Sequence, residues 1–394
     1  MNAAPVTAEQ RRARLGRRLA LAPGHGAPDV VAAARSVVAL HSTDPASAVL
    51  SAVARTPGAT PDDVVRALYE NRHLVRVLAM RRTMFVVPHD LVPVVTVTAD
   101  RVAHDERRKM HALLTASGVS DRPEAWARDA ERVLLDVLTE RGTASAKELA
   151  VADERLAARI TLSPGTRYET TQTVATRLLV VLSAEGRVLR ARPAGGWAST
   201  QFTWTTAAGW RDLGPAPDPE EAAARLARLW LHAYGPARPD DLRWWTGWTV
   251  RRTRDALAAL DTVDVVLEDG SPGVRLAEDD DPRGPTEPWV ALLPAFDPAA
   301  MAWSHRDHVL GEHRAHVYDR NGNAGPTIWA DGRVVGGWAQ RADGEVVTEL
   351  FEDVGGETAT AVEERAAALT ALLGDVRLTV RARGWTPVEQ RLRA

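Results

Sequence analysis

The 394-residue chain contains no cysteine. This absence excludes disulfide bonds, thiol nucleophiles and zinc sites with cysteine ligands, and it is typical of a cytoplasmic protein. Lysine is almost missing as well, because only Lys109 and Lys147 occur among 49 basic residues. Schiff-base chemistry therefore has only those two amines and the N-terminus to use.

Long apolar runs are also missing. No segment approaches the roughly 20 apolar residues that a membrane-spanning helix needs, and no apolar stretch follows the arginines of residues 11–18 to form a secretory signal. We therefore expect a cytoplasmic protein without a membrane partner. The chain has no glycine-rich phosphate loop and no GxSxG, HExxH or CxxC motif. Kinase, nucleotide-binding dehydrogenase, serine hydrolase and zinc protease activities are therefore unsupported.

The net charge of −3 is unevenly distributed along the chain. Residues 1–110 carry a net charge of +6, residues 111–214 carry +1 and residues 215–394 carry −10. A polyanion would therefore meet the N-terminal part of the protein rather than its whole surface.

Helices followed by a hairpin recur along the chain, which predicts an α+β protein with three tandem winged-helix modules. We place these modules at residues 1–110, 111–214 and 215–270, and a β-rich module at 271–394. The predicted helices and strands are helices 7–22, 28–40, 46–56 and 61–72 with strands in 74–87; helices 124–141, 145–152 and 166–184 with a hairpin in 186–206; helices 219–234, 239–246 and 249–260 with strand 263–268; short strands in 289–354; helix 357–373; and strand 376–383.

The pentapeptide His41-Ser42-Thr43-Asp44-Pro45 places polar side chains at a helix end in the basic part of the chain. One interpretation is helix capping, because Ser, Thr and Asp are favoured at helix N-termini and Pro45 suits a first helical position. The other is a functional site in which His41 and Thr43 point into a groove. Residues two apart in an extended segment face the same side, so both side chains could reach one water molecule.

Two groups of arginines are candidates for DNA contacts. Arg81 and Arg82 lie at the tip of the first predicted hairpin, where an arginine pair can grip phosphates. Arg187, Arg190 and Arg192 alternate along the second hairpin, so that Arg190 and Arg192 share one face of a strand. A solvated turn or face is the alternative for both groups. For the arginines of residues 251–254 a solvated face is favoured over a DNA contact, because they lie in the acidic part of the chain.

Four histidines, His305, His308, His313 and His316, stand within 12 residues. Their spacing raises a metal site as a hypothesis. Residues three apart in a predicted strand and turn face opposite sides, however, so we expect no metal there. Residues 319–323 (DRNGN) predict a tight hairpin turn, since Asn-Gly is a strong turn signal.

Several motifs in the same order make the chain resemble the winged-helix DNA glycosylases typified by AlkZ and YcaQ. These motifs are LHSTDPASAVLSAVAR, LAMRRTMFVVP, EGRVLRARPAGGWASTQFTW, DDLRWWTGWT and LLPAFDPAAMAWSHRDHVLG with DRNGNAGPTIWADGRVVGGW, and the resemblance runs from about residue 10 to 385. It implies a basic channel of winged helices, a C-terminal β-barrel, and removal of N-alkylated purines from double-stranded DNA, including unhooking of interstrand crosslinks, without a cofactor. It also implies DNA contacts from Arg320, Asn321 and Asn323 in the barrel turn.

Two polar residues of a Gln-x-Gln or Gln-x-Asp motif do the catalysis in that family. The matching positions here are His41 and Thr43, and Asp44 stands one place beyond the second position. An N7- or N3-alkylated purine is cationic and leaves readily, so neutral His41 could accept a proton from the attacking water. Thr43 could hold that water, and Asp44 could stabilise the developing positive charge. Protonated His41 would repel this charge, so we expect activity to rise between pH 5.5 and 7.5.

Two further hypotheses compete with a monofunctional glycosylase of base excision repair or self-resistance. The protein could be a non-catalytic winged-helix DNA-binding protein, either a regulator or a lesion-binding scaffold, that has lost the glutamine pair. It could instead be a metal-dependent enzyme that uses the histidines of residues 305–316. The fold alone does not distinguish them, because function depends on the site. We expect a monomer in each case.

Overall fold

The structure, a computed structural model, describes residues 5–279, 284, 286–379 and 384–394. Within these residues the chain forms helices and antiparallel sheets, and none of the sheets contains a parallel strand pair. This confirms the mixed helix-and-sheet composition. No helix of the described ranges combines the length and apolarity needed to cross a membrane.

The first part of the chain packs helices around a three-stranded sheet in the order β1-β3-β2. A single 3-10 turn at Met80–Arg82 joins β2 to β3 and confirms the predicted hairpin around the arginine pair. The elements are α1 Ala8–Arg18, α2 Val30–Ser36, β1 Leu40–His41, α3 Pro45–Val53, α4 Pro61–Tyr69, β2 Leu74–Ala79, β3 Thr83–Pro88, α5 Val92–Thr98 and α6 Asp100–Ala116.

The two faces of this sheet carry different chemistry. His41 pairs with Phe85, and Arg76 pairs with Val86. Successive residues of a strand point to opposite faces and paired residues point to the same face. His41 and Phe85 therefore lie on one face of the sheet, and Arg76 lies on the other.

The second part of the chain has its own buried core, which includes Met110, Leu134 and Leu178. The predicted helix 166–184 is too long, because residues 170–173 (TTQT) form a strand. β-branched threonines favour strands, and Thr173 then caps a shorter helix by accepting from the Thr176 N–H. The elements are α7 Pro123–Arg141, β4 Ala144–Ser145, α8 Ala146–Ala152, α9 Glu154–Ala157, β5 Arg159–Leu162, β6 Thr170–Thr173, α10 Val174–Ala184, β7 Val188–Ala194, β8 Gln201–Thr206 and α11 Ala207–Trp210.

The third part contains three helices and a two-stranded hairpin. Pro219 and Pro239 occupy first helical positions, and Gly247 ends a helix with a left-handed φ of 74°, so the sequence marks these boundaries strongly. The elements are α12 Pro219–Tyr234, α13 Pro239–Thr246, α14 Val250–Ala258, β9 Thr262–Val266 and β10 Pro272–Leu276.

The C-terminal part contains a four-stranded sheet in the order β11-β12-β13-β14. The described strands form an open sheet and not a closed barrel, so the β-barrel expectation is corrected. Residues 298–317 form helical turns where strands were predicted. No strand forms at 376–379, and residues 380–383 lie outside the described residues. The elements are β11 Val290–Leu293, α15 Pro298–Met301, α16 Asp307–Leu310, α17 Arg314–Val317, β12 Thr327–Ala330, β13 Arg333–Gln340, β14 Val346–Leu350, α18 Gly356–Leu373 and α19 Pro387–Arg393.

The largest core is shared mainly by the first, third and C-terminal parts of the chain, and Leu189, Ala191 and Trp210 of the second part also belong to it. Leu40 and Phe85 of the first sheet belong to the same buried cluster as Trp245 of α13 and Trp303 and Trp329 of the C-terminal part. This shared core brings the loop between β11 and α15 against β1. The winged-helix assignment and the boundaries at 110, 214 and 270 remain predictions.

Candidate active site

His41 is the last residue of β1 and lies at the junction of the first and C-terminal parts. The backbone N–H of Ser42 donates to the carbonyl of Met84 at 2.7 Å, which continues the pairing of β1 with β3. The His41 ring meets the Phe85 ring edge to face, with 5.6 Å between centroids and 72° between planes. His41 is only 7% exposed.

Phe296 covers one face of the His41 ring. The two rings are stacked, with 4.6 Å between centroids and 3° between planes. Phe296 lies in the loop between β11 and α15 and has a φ of 59°. A bulky residue with positive φ is uncommon and requires support from its surroundings.

Hydrogen bonds on both sides of Phe296 supply that support. Its own N–H donates to the carbonyl of Ala324 at 3.0 Å. The next residue, Asp297, accepts two hydrogen bonds from Arg55 at 2.7 and 2.8 Å and one from the Ser51 hydroxyl at 2.6 Å. The Arg55 and Asp297 side chains are both 0% exposed. The Ser51 bond fixes the Phe296 loop to α3, and the bidentate pair fixes it to the residues that directly follow α3.

Burial keeps His41 neutral. Removal from water, and secondly the charge of Arg81, lower the pKa of His41 to about 3. The expected rise of activity between pH 5.5 and 7.5 assumed an imidazole in contact with solvent, whereas burial moves the pKa of His41 below that interval. His41 Nδ1 is buried and has no hydrogen-bond partner among the described residues.

The next three residues of the segment have different environments. Ser42 is fully buried, whereas Thr43 is exposed. Asp44 is the N-cap of α3: its carboxylate accepts from the Ala46 N–H at 3.4 Å and from the Ser47 hydroxyl at 2.9 Å. The capping interpretation is therefore confirmed for Asp44.

An arginine–aromatic stack runs from the first hairpin into the C-terminal part. The distances from guanidinium carbon to ring centroid are 4.0 Å for Arg81 and Trp244, 5.0 Å for Arg306 and Trp244, 4.7 Å for Arg306 and Tyr318, and 5.6 Å for Arg314 and Tyr318. Nε of Arg81 and Nε of Arg306 are buried without a hydrogen-bond partner in the described part of the chain. Aromatic faces thus hold these cations, and Arg306 also donates through Nη1 to the carbonyl of Ala300 at 3.0 Å.

Sequence reasoning found only one member of this stack. Arg81 was a candidate, whereas Trp244, Arg306 and Arg314 were not among the candidate site residues. Their proximity depends on contacts between distant parts of the chain. The motif signal was present, since Trp244 and Arg306 both lie inside segments that resemble the glycosylase family.

The turn at residues 319–323 lies close to the same site. It directly precedes Ala324, whose carbonyl accepts the Phe296 N–H. Asp319 accepts from the Asn321 and Asn323 backbone N–H groups at 2.8 and 3.0 Å and from the Asn323 side chain at 2.9 Å. Arg320 and Asn321 are exposed at the tip, and the strong turn signal is thereby confirmed.

Comparison with known proteins identifies the family of this chain. The model of the AlkZ-like DNA glycosylases matches residues 34–372. The chain belongs to the AlkZ-like DNA glycosylase family. The members of this family are hydrolases that act on N-glycosyl bonds.

Two comparisons match glycosylases of Streptomyces sahachiroi, one by sequence and one by structure. An interstrand DNA cross-link repair glycosylase is 33% identical over 181 residues, which are 43% of this chain and 48% of the relative. This match therefore spans about half the length of that relative. The solved structure of the DNA glycosylase AlkZ has a TM-score of 0.72 at 23% identity and covers 97% of this chain and 100% of its own. That similarity shows a shared fold.

Three of the arginines expected to contact DNA in this AlkZ-like protein are bound to carboxylates. Each is at least 44% exposed but forms an ion pair, so a phosphate would have to compete with that partner. The pairs are Arg82–Glu106 at 3.0 Å, Arg187–Glu131 at 3.0 Å and Arg192–Glu70 at 2.9 Å. Arg190 differs from them, because it is largely buried and stacks on Phe202 at 4.6 Å.

Among the described residues, no carboxylate is shared by the four clustered histidines. Nδ1 of His305 lies 3.1 Å from Asp241, His313 contacts Glu352, His316 stacks on Phe351, and His308 is buried against Trp303. Within the described ranges, no group of three potential metal ligands was found here or elsewhere.

Proposed function

We propose that this AlkZ-like protein is a monofunctional glycosylase that hydrolyses the N-glycosidic bond of N7- or N3-alkylated purines in double-stranded DNA. The proposal includes unhooking of interstrand crosslinks. It follows the name of the interstrand DNA cross-link repair glycosylase of Streptomyces sahachiroi, of which this chain matches about half the length. The observation that carries the proposal is the His41 ring, buried between Phe85 and Phe296 and close to the arginine–aromatic stack, in a chain of this family. No lysine occurs in the 41–45 segment, so we propose no β-lyase step.

A neutral imidazole suits the reaction of a cationic purine. As the base leaves with its electron pair, the sugar becomes an oxocarbenium-like cation, which a charged His41 would repel. Water then adds to C1′ and becomes strongly acidic once the new C–O bond has formed. A weak base is sufficient to accept that proton, so the low pKa of His41 is compatible with this role. Because Nδ1 is buried, we assign the contact with water to Nε2.

Thr43 and Asp44 have supporting roles in this proposal. Thr43 is exposed beside His41, and its hydroxyl can hold the attacking water from the solvent side. Asp44 is engaged in capping α3, so its charge acts on the sugar through space rather than by contact. The Asp44 carboxylate thereby offsets the partial positive charge at the N-terminus of α3, which would otherwise be unfavourable close to the reacting cation.

DNA binding is assigned to the basic side of the first part and to the turn of residues 319–323. Arg81 brings a guanidinium next to His41, and its Nε has no hydrogen-bond partner among the described residues. Arg320 and Asn321 are exposed at the turn and are suited to contact the backbone or groove of a duplex. Asn323 supports this turn through its bond to Asp319.

Base release from a duplex containing N7-methylguanine tests the proposal. We expect His41→Ala to lower the rate about 100-fold or more, the usual scale for loss of a positioned acid–base group, with nearly unchanged affinity for the duplex. Thr43→Gln should preserve or raise the rate, because it restores the second glutamine position of the family. Ser42→Ala is the matched control, since Ser42 Oγ has no hydrogen-bond partner in the described residues, and should behave like wild type.

A non-catalytic DNA-binding protein is the alternative outcome. The 7% exposure of His41 favours it, because a catalytic group must meet the reacting water. In that case the wild type binds the methylated duplex but releases no base, and His41→Ala changes neither property.

A further inference from the structure

Two arginines from different parts of the chain converge on one phenyl ring. Arg76 of β2 and Arg190 of β7 lie over Phe202 of β8, with guanidinium-to-centroid distances of 4.7 and 4.6 Å. Arg190 also lies 5.2 Å from the Trp204 ring. Arg76 is only 2% exposed, so this pair is built into the contact between the first hairpin and the second.

The polar atoms of this cluster lack partners. Nε and Nη1 of Arg76, Nε of Arg190 and the hydroxyl of Tyr69 are buried without a hydrogen bond from any described residue. Neither arginine forms an ion pair within the described ranges, although Asp44 attracts Arg76 through space. Arg192, two residues further along β7, does have a carboxylate partner in Glu70.

Such an arrangement is costly unless an anion completes it. Removal from water, followed by repulsion from Arg76, lowers the pKa of Arg190 to about 10, and burial likewise lowers the pKa of Arg76. Buried charges are normally paired. Stacking on Phe202 occupies the planar faces of the guanidinium groups and leaves their N–H edges, which match the geometry of a phosphate.

We propose that Arg76 and Arg190, with the Tyr69 hydroxyl, form a seat for one phosphodiester phosphate of the DNA backbone. The inference rests on the proposed function, since it takes duplex DNA as the ligand. Arg76 and His41 point to opposite faces of the β1-β3-β2 sheet, so this phosphate flanks the 41–44 segment rather than the reacting atoms. Arg76 and Arg190 are therefore positioning residues. One phosphate bound to both would also tie β2 to β7.

Thermal unfolding in the presence of inorganic phosphate tests the proposed phosphate site without any measurement of catalysis. In the full-length wild type we expect the unfolding midpoint to rise with the logarithm of phosphate concentration, relative to chloride at the same ionic strength. Arg190→Met keeps an apolar side chain over Phe202 but removes the charge and should abolish this rise. Arg132→Met is the matched control, because Arg132 is an exposed arginine of α7 in the same part of the chain and pairs with Asp129, and this variant should keep the rise.

Binding of an unmodified duplex then tests the source of the phosphate. For Arg190→Met we expect weaker binding and a salt dependence reduced by about one unit of slope, as for one lost phosphate contact. Arg190→Lys, which keeps the charge, should keep most of the slope. If phosphate raises the unfolding midpoint of wild type but Arg190→Met keeps the wild-type salt slope for duplex binding, the assignment of the phosphate to DNA is overturned. An absent phosphate effect in wild type together with an unchanged slope would overturn the seat itself.

These outcomes are separate from the failure of the proposed function. Neither measurement requires an alkylated base or base release. A protein that binds phosphate and duplex as expected but releases no base would keep the seat and lose the glycosylase assignment.

Discussion

The rings of His41 and Phe296 are stacked in parallel, with 4.6 Å between centroids and 3° between planes. This contact joins the first sheet to the loop that follows β11, and it removes one ring face of His41 from water. The Arg55–Asp297 pair holds the same loop. The burial that lowers the pKa of His41 therefore includes a contact with a residue that is distant in the sequence.

Phe296→Ala should expose the imidazole and raise the pKa of His41 toward its ordinary value, because desolvation is the main cause of the low pKa. A histidine titration followed by NMR measures this change, and base release should fall as the ring loses its fixed orientation. Phe351→Ala is the matched control, since Phe351 stacks on His316 with 4.8 Å between centroids. An unchanged His41 titration in Phe296→Ala would contradict the role of the stack.

Base release by the wild type should be nearly independent of pH between 5.5 and 7.5. With a folded-state pKa of about 3, His41 stays neutral across this interval. This replaces the expectation from sequence of a rise in activity. The measurement is the single-turnover rate of N7-methylguanine release at constant ionic strength, corrected for spontaneous depurination. A rate that follows a titration near pH 6.5 would show that His41 is solvated in the DNA complex.

The same pKa shift has a consequence for stability. Below pH 6.5 the unfolded chain binds a proton at His41 and the folded protein does not. The contribution of neutral His41 to the free energy of unfolding is therefore complete above pH 6.5 and is lost as the pH falls toward 3. The expected loss is about 1.4 kcal/mol per pH unit for this group. His308, whose pKa burial lowers well below its ordinary value, should add to the effect. Urea unfolding between pH 4 and 7 should show a smaller pH dependence in His41→Gln than in wild type.

Local signals in the sequence predicted much of the fold. Helices 219–234 and 239–246 were predicted with the observed boundaries, because proline begins each and Gly235 or Gly247 follows. The hairpin within 74–87 was predicted from two apolar runs around the arginine pair. The helical turns of residues 298–317 were missed because each is only four residues long.

The environment of the candidate site could not be predicted in the same way. His41 and Asp44 were found from one short segment, but the pKa of His41 depends on Phe296 and Arg81, which reach it only after folding. Arg306 lies inside a segment that resembles the glycosylase family, but nothing in that segment indicates that its side chain meets Trp244 and Tyr318. Local patterns determine caps and turns, whereas burial and stacking depend on tertiary contacts.

Arg81→Met should weaken duplex binding and lower the salt slope by about one unit, if Arg81 meets a phosphate at the end of the arginine–aromatic stack. It should also raise the pKa of His41 slightly, because the charge of Arg81 is the second cause of the low value. Arg251→Met is the control: the Arg251 side chain is 86% exposed on α14 and pairs with Asp255. Equal salt slopes for Arg81→Met, Arg251→Met and wild type would remove Arg81 from the DNA interface.

Asp297→Asn should destabilise the protein by roughly 3–5 kcal/mol, the cost of breaking a buried ion pair and leaving one charge unpaired. Both Arg55 and Asp297 are 0% exposed, and the substitution keeps the size of the side chain while removing its charge. Asp129→Asn is the control, because Asp129 forms an exposed pair with Arg132 on α7, and such pairs contribute little. Urea unfolding measures both variants.

The same substitution should affect catalysis before it unfolds the chain. Asp297 fixes the backbone next to Phe296, so its loss frees the ring that covers His41. At a temperature where Asp297→Asn is still folded, we expect slower base release, unchanged duplex affinity and a pKa of His41 that moves up, as in Phe296→Ala. A variant that is strongly destabilised but keeps the wild-type rate and the wild-type His41 titration would show that the Arg55–Asp297 pair stabilises the fold without positioning the site.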